Sequence, residues 1–301
     1  MPHDHHSHAS SDYGRAFAVG IALNLLFVAG EAAAGVLSGS LALIADSGHN
    51  LADVLGLALS WGAAILSRRE PSGRFTYGLR SSSILAALAN ALILLIVTGG
   101  VAWEAILRIA HPMPVASGVM IIAAAAGLVV NGATALLFAS GRHRDLNLKS
   151  AFLHMAADTL VTASVVVVGI ALRFTHALWL DPAASLGVSA VIIFGTWGLM
   201  RSAIGLALAA VPEGIDAAAV RAYLAGLDGV AALHDLHIWG MSTTETALTC
   251  HLIMPSGHPG DALLGRVAEE LHARFGIAHT TIQIELADTD ATCALLSEHV
   301  V

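Results

Sequence analysis

Charge is what this sequence has least of. Asp, Glu, Lys and Arg together make up 12% of its 301 residues, against a hydrophobic share of 56% and a mean hydropathy of +0.75. Soluble domains carry about 25% charged residues, so the composition is that of a membrane protein. Basic residues are scarcer still, with 14 Lys and Arg against 22 Asp and Glu, and the net charge of −8 arises mostly in the last third. That leaves no basic face to meet phosphates and excludes a nucleic-acid partner. Two cysteines, Cys250 and Cys293, are too few for a disulfide framework and fit a reducing compartment. The opening M-P-H-D-H-H-S-H lacks the basic region of a cleaved signal peptide, so the first apolar run is expected to stay in the mature protein. No H-E-x-x-H occurs, which argues against an intramembrane zinc hydrolase.

What the chain does have is six long apolar runs, at about 17–37, 40–66, 84–107, 115–140, 151–172 and 184–203. A helix needs about 20 apolar residues to cross the hydrocarbon core, and each run supplies them. Frequent Ala and Gly suit close packing of helix backbones in lipid. Arg68, Arg69, Arg74 and Arg80 follow the second run, and Arg142, Arg144 and Lys149 follow the fourth; the opposite loops offer only Arg108 and Arg173. The basic loops belong inside, so both termini are expected in the cytoplasm. After Pro212 the texture changes to an amphipathic helix, two alternating strands, a helix near 261–275 and a third strand, an α-β-β-α-β order. The expected fold class is therefore a membrane all-α bundle of six transmembrane helices followed by a small cytoplasmic α+β domain. We expect a His-rich tail at 1–14, the helices within 15–211, the α+β domain at 212–287 and a C-terminal tail at 288–301.

The second run holds Asp46, His49 and Asp53 in L-I-A-D-S-G-H-N-L-A-D-V-L. Charge at a bilayer centre costs about 2.5–3.5 kcal/mol on insertion scales, so such groups need partners in a bundle interior. Residues four apart share a helix face, which sets His49 beside Asp53. The fifth run repeats the spacing with His154 and Asp158 in F-L-H-M-A-A-D-T. Two facing helices would supply two imidazoles and two carboxylates, a tetrahedral set suited to Zn²⁺ whose acids balance the ion's charge. Asp46, three residues before His49, is an auxiliary candidate. Glu31, Asn24, Asn90, Glu104 and Asn131 read as partners in hydrogen bonds between helices or as cavity lining. The tail histidines His3, His5, His6 and His8 have a weak metal-binding composition, with a solvated tail of no role as the equal alternative.

These motifs resemble the cation diffusion facilitator family of zinc/proton antiporters. The resemblance is carried by S-L-A-L-I-A-D-S-G-H-N-L-A-D-V and D-L-N-L-K-S-A-F-L-H-M-A-A-D-T, with support from F-T-Y-G-L-R, W-E-A-I-L-R-I-A-H-P, D-P before the sixth run and H-D-L-H-I-W. It covers the chain from about Arg15 to Leu286. It implies that His49, Asp53, His154 and Asp158 are the transport ligands, and that Zn²⁺ is preferred over Cd²⁺. It also implies a homodimer in the bacterial cytoplasmic membrane that exports zinc in exchange for protons by alternating access. The loop S-R-R-E-P-S-G-R-F-T-Y-G has no histidine, so a further loop site found in some relatives is expected to be missing.

For the soluble part, the resemblance implies a metallochaperone-like dimerisation domain with its own zinc. His234, His251 and Glu285 fall on matching strand positions, while Gln283 stands where some relatives have a further histidine. His279 is a candidate replacement, and Cys250 another, although strand alternation sets Cys250 and His251 on opposite faces. His237 and Trp239 are read as packed or exposed strand residues. Partners are then divalent metal ions, protons, the bilayer and a second copy of the chain. The ligand set leaves Co²⁺, Fe²⁺, Mn²⁺, Cd²⁺ and Ni²⁺ open beside zinc. The rival reading is a membrane-anchored zinc sensor that binds without transporting.

Overall fold

In a computed structural model the protein is described over residues 13–67, 69–139 and 146–286. The tail histidines His3, His5, His6 and His8, the loop residues Arg68, Arg142 and Arg144, and Cys293 lie outside the described residues. Six long helices come first: α1 (Tyr13–Ser38), α2 (Leu41–Ser67), α3 (Ser82–Ala110), α4 (Ser117–Ala139), α5 (Leu146–Thr175) and α6 (Leu180–Ala207). The shortest has 23 residues, and a helix rises about 1.5 Å per residue, so each exceeds the hydrocarbon thickness. Among the described residues, Ser82–Ala110, Ala156–Thr175 and Leu180–Ala207 are long and apolar enough to cross a membrane by length and composition. Leu25–Ser38 and Ser117–Ala133 are shorter apolar helices. Leu26, Ile122, Leu160 and Phe194 are exposed by 71–82%; apolar surface on that scale requires lipid around it.

The chain divides into two compact units, Met1–Leu59 with Asn90–Trp197, and Ser60–Ala89 with Gly198–Val301. In the first, α2 is central. Ala42 and Leu43 pack with Met120, Ala124, Val165 and Leu172 of α4 and α5, while Ala45 and Ala52 pack with Leu94, Val101, Val188 and Ile192 of α3 and α6. Small residues on α2 allow both approaches: a Cβ on Gly48 would come within 3.1 Å of Val97. Burying α2 on two sides is what allows it to carry polar groups that lipid would not tolerate.

The second unit holds α7 (Ala217–Ala225), β1 (Ala232–Gly240), β2 (Thr246–Ile253), α8 (Asp261–Phe275) and β3 (Ile277–Glu285). Asp216 starts α7 by accepting the N–H groups of Ala218 and Ala219 at 2.9 and 3.1 Å, the usual N-cap arrangement. The sheet order is β1-β2-β3, with β1 antiparallel and β3 parallel to β2; α8 provides the crossover a parallel pair needs. One sheet face buries Ile238, Leu248, Cys250 and Leu252 against Val220 and Leu224 of α7 and Val267 and Leu271 of α8. The other face is free for polar chemistry. Leu271 is fully buried, so Leu271→Ala is expected to cost this layer about 2–5 kcal/mol, measured as faster amide hydrogen exchange along β2 in the full-length protein. In the same unit, the chain entering α3 docks on the β1–β2 turn through Arg80–Glu245 at 2.6 Å, Ser81 Oγ to the Met241 carbonyl at 3.2 Å and the Thr243 N–H to Ser83 Oγ at 3.1 Å.

Candidate functional site

The i, i+4 geometry of α2 sets His49 Nε2 3.7 Å from Asp53 Oδ2, and α5 brings Asp158 Oδ1 to 3.1 Å from the same nitrogen. One ligand atom from each of the three lies within 4.8 Å of the others. Ligands about 2.0–2.1 Å from a tetrahedral Zn²⁺ are ~3.3 Å apart, so the two short separations bracket that edge length. Burial is graded: the side chains of Asp158, His49 and Asp53 are 5%, 14% and 28% exposed. A deep acid and a more exposed one sharing an imidazole are an arrangement that could hold a cation. His154 belongs to α5 one turn before Asp158, and its side chain lies outside the described residues.

Asp46 is 1% exposed but is not one of the three clustered ligands. Beside it runs a second polar layer. Asn50 Nδ2 donates to Glu31 Oε2 at 3.0 Å, Glu31 is 3% exposed, and Asn131 Nδ2 faces Thr162 Oγ1 at 3.5 Å. A Cβ on Gly127 would lie 3.1 Å from Phe27, 3.2 Å from Thr162 and 3.3 Å from Glu31 Oε1. Only glycine lets α4 come this close to α1 and α5. Glu104 pairs with Arg108 at 3.1 Å within α3 itself, rather than bonding between helices as expected; the Asn24 side chain lies outside the described residues.

On the helix-free face of the sheet, His234, His251 and Glu285 offer ligand atoms within 4.8 Å of one another. His251 Nδ1 is 2.9 Å from Glu285 Oε1, His234 Nε2 is 3.5 Å from Glu285 Oε2, and the two rings meet at 5.0 Å. His234 is 5% exposed with no hydrogen bond to either ring nitrogen. Buried imidazole nitrogens are normally satisfied, so this residue fits a metal ligand. Gln283 Nε2 donates to Glu285 Oε1 at 3.1 Å and so supports the acid.

Two of the soluble-domain candidates are corrected. His279 pairs in register with Ala247, against the pairing of His251 with Gln283, and its ring packs edge-on to Tyr77 at 5.8 Å. Six residues of strand, at about 3.3 Å each, separate it from Glu285, so it does not replace the missing histidine. Cys250 faces the helices in the apolar core, 1% exposed, and burial pushes its thiol up to about 12. It stays protonated and is no thiolate ligand. Unfolded thiols titrate near 8.5, so above that pH the unfolded chain binds fewer protons and stability falls as pH rises. In a Cys293→Ser background, folded protein at pH 8 is expected to resist iodoacetamide until denatured; rapid alkylation of the native form would reject this.

Asp235 was missed by strand alternation. A bulge between His234 and His237, with Asp235 at φ 51, adds a residue to β1 and swings Asp235 toward His237 (2.8 Å) and His251 (3.4 Å). His237 is therefore paired rather than merely packed.

Long apolar helices with a buried imidazole–carboxylate cluster, followed by a soluble domain with a second one, define a membrane transporter of metal cations. Comparison with known proteins gives the family. Residues 17–206 match the cation efflux transmembrane domain and residues 212–287 the cation efflux protein, cytoplasmic domain. The chain belongs to the cation efflux family: it is an integral membrane protein that exports metal cations, and not an enzyme. The metal cation efflux system protein CzcD of Cupriavidus metallidurans is 34% identical over 91% of this chain and 87% of its own length. Zinc transporter ZitB of Escherichia coli is 33% identical, covering 95% and 93%. A cadmium, cobalt and zinc/H(+)-K(+) antiporter of Bacillus subtilis is 32% identical, covering 85% and 83%.

Proposed function

We propose that the protein exports Zn²⁺ from the cytoplasm in exchange for protons by alternating access, with the ion held tetrahedrally by His49, Asp53, His154 and Asp158. The observation that carries this reading is the convergence of His49, Asp53 and Asp158 from two buried helices. Neutral imidazoles and ionised carboxylates bind metal and their protonated forms do not, so protons and zinc compete for the same groups. Protons arriving from the far side would thus eject the ion. Mg²⁺ and Ca²⁺, which want six or more oxygens, are excluded by a four-ligand cage of nitrogen and oxygen. The names of the relatives, a zinc transporter and an antiporter of zinc and H(+), point the same way.

In this reading the protein works as a homodimer in a bacterial cytoplasmic membrane with both termini in the cytoplasm. The transport domain runs over 15–211 and the α+β domain over 212–287. His234, His251 and Glu285 would hold a resident metal there, which would supply a charge-neutralising cross-link between β1, β2 and β3. The test is metal uptake into inverted vesicles under an imposed pH gradient, comparing Zn²⁺, Cd²⁺, Co²⁺ and Mn²⁺. Saturable zinc uptake that collapses with the gradient is expected. Stoichiometric binding without saturable uptake would favour a membrane-anchored sensor instead.

A further inference from the structure

The corner between α1 and α2 is tied down from three other elements. Gly39 turns the chain at φ +69, and Arg108 of α3, itself gripped by Glu104 at 3.1 Å, donates from Nη1 to the Gly39 carbonyl at 2.6 Å. The Ala116 N–H, just ahead of α4, donates to the Ser38 carbonyl at 2.7 Å. The strongest tie comes from α6. Asp181 Oδ1 accepts the Ser40 hydroxyl at 2.5 Å and the Ala42 N–H at 3.3 Å, and its Oδ2 accepts the Leu41 N–H at 2.8 Å. Ser40 Oγ in turn accepts the Leu43 N–H at 3.2 Å. Asp181 and Ser40 are both fully buried.

A helix leaves its first N–H groups without partners, and in apolar surroundings each must be satisfied by something. Here the cap of α2 is supplied by a carboxylate on a different helix, and its negative charge meets the positive end of the α2 dipole. The cap therefore fixes α2 against α6 in both height and rotation. His49 lies eight residues beyond Leu41, ~12 Å along the axis at the usual rise, so Asp181 is remote from the cargo ligands and reaches them only through the helix. Each residue of slip would turn α2 by about 100° and carry His49 and Asp53 off the face that meets Asp158.

We propose that Asp181 is a positioning residue for transport. By capping α2 from α6 it sets the register in which His49 and Asp53 face Asp158, and it remains engaged throughout the cycle as the fixed end about which the site opens. This rests on α2 carrying the cargo ligands. Opening the clamp would strand a buried carboxylate and three donors at once, so movement has to occur elsewhere along the helix.

The full-length protein in proteoliposomes, with zinc as probe, tests this. Asp181→Asn keeps the shape but turns an amide N–H₂ toward the donors. The half-saturating zinc concentration is expected to rise at least tenfold, and Ser40→Ala added to it should cost little more, because both act through one cap. A purely structural role would lower the amount of inserted protein and the maximal rate but leave half-saturation unmoved. Should Asp181→Asn fail to insert, Ser40→Ala supplies the same readout. In a background of Cys250→Ala and Cys293→Ser, the pair Ser40→Cys and Asp181→Cys bridged by a short bis-methanethiosulfonate should transport with near-normal half-saturation, and lose it on reduction. Unchanged half-saturation in Asp181→Asn, or a bridged protein that is blocked, overturns the proposal. Asp53→Ala in the same vesicles tests the cargo site separately: if it transports normally, that reading fails while the Asp181 shift still decides the clamp.

Discussion

Asp158→Ala is expected to lower zinc flux at least a hundredfold without reducing the amount of folded protein in the membrane. Asp158 is the most buried of the three clustered residues, with 5% of its side chain exposed, and lies 3.1 Å from His49 Nε2. In the proposed site, removing it takes away one ligand and one of the two negative charges that would face a doubly charged ion. Leaving a buried charge unmatched costs about 3–5 kcal/mol, and each 1.36 kcal/mol is tenfold, so a hundredfold is the lower bound. The unloaded protein should not suffer, because two neighbouring acids repel and deleting one relieves that. Asp158→Asn, which keeps an oxygen ligand but not the charge, should fall between. A zinc-sensitive dye trapped in proteoliposomes gives the rate; uptake within twofold of the unaltered protein would remove Asp158 from the site.

Periodicity made the neighbouring of His49 and Asp53 on α2 legible. His49 and Asp53 share a face because residues four apart must, and an apolar run leaves such residues nowhere to go but inward. The α-β-β-α-β order after Pro212 was legible for the same reason, through a period of two in β1 and β2 and an amphipathic α8. Three features were not. The β1 bulge breaks alternation at Asp235, and no residue type there announces it, so alternation alone does not bring Asp235 to the histidine cluster. The position of His279 depends on a register shift between Thr246 and Ala247. Asp181 was visible only as part of a D-P turn before the last span. Pro182 marks a helix start, but nothing local says that the carboxylate caps a helix some 140 residues earlier in the chain. Local rules found the groups that share one element; contacts between elements required the fold.

Zinc affinity should weaken as pH falls, and the slope of that loss should count histidines. A ligating imidazole must be neutral, so each one that binds the ion must first give up its proton. Where the ligating histidines are protonated, each one that must lose its proton weakens apparent affinity by about tenfold per pH unit. With His49 and His154 both ligating, the loss approaches about a hundredfold per pH unit at the acid end of the profile; with one, about tenfold. The sign follows from the competition: protons remove the binding form, so affinity is lost as pH falls and is restored as it rises. Half-saturation for zinc measured with equal pH on both sides of the vesicle isolates this from any driving gradient. His154→Asn, which cannot titrate, should weaken binding at every pH and halve the slope, and that makes it a direct test of the fourth ligand. A flat profile from pH 7.5 to 5.5 in the unaltered protein would mean that protons and metal do not share these groups. Exchange would then have to be coupled at carboxylates remote from the ion, with the buried Glu31 and its Asn50 partner at 3.0 Å the place to look.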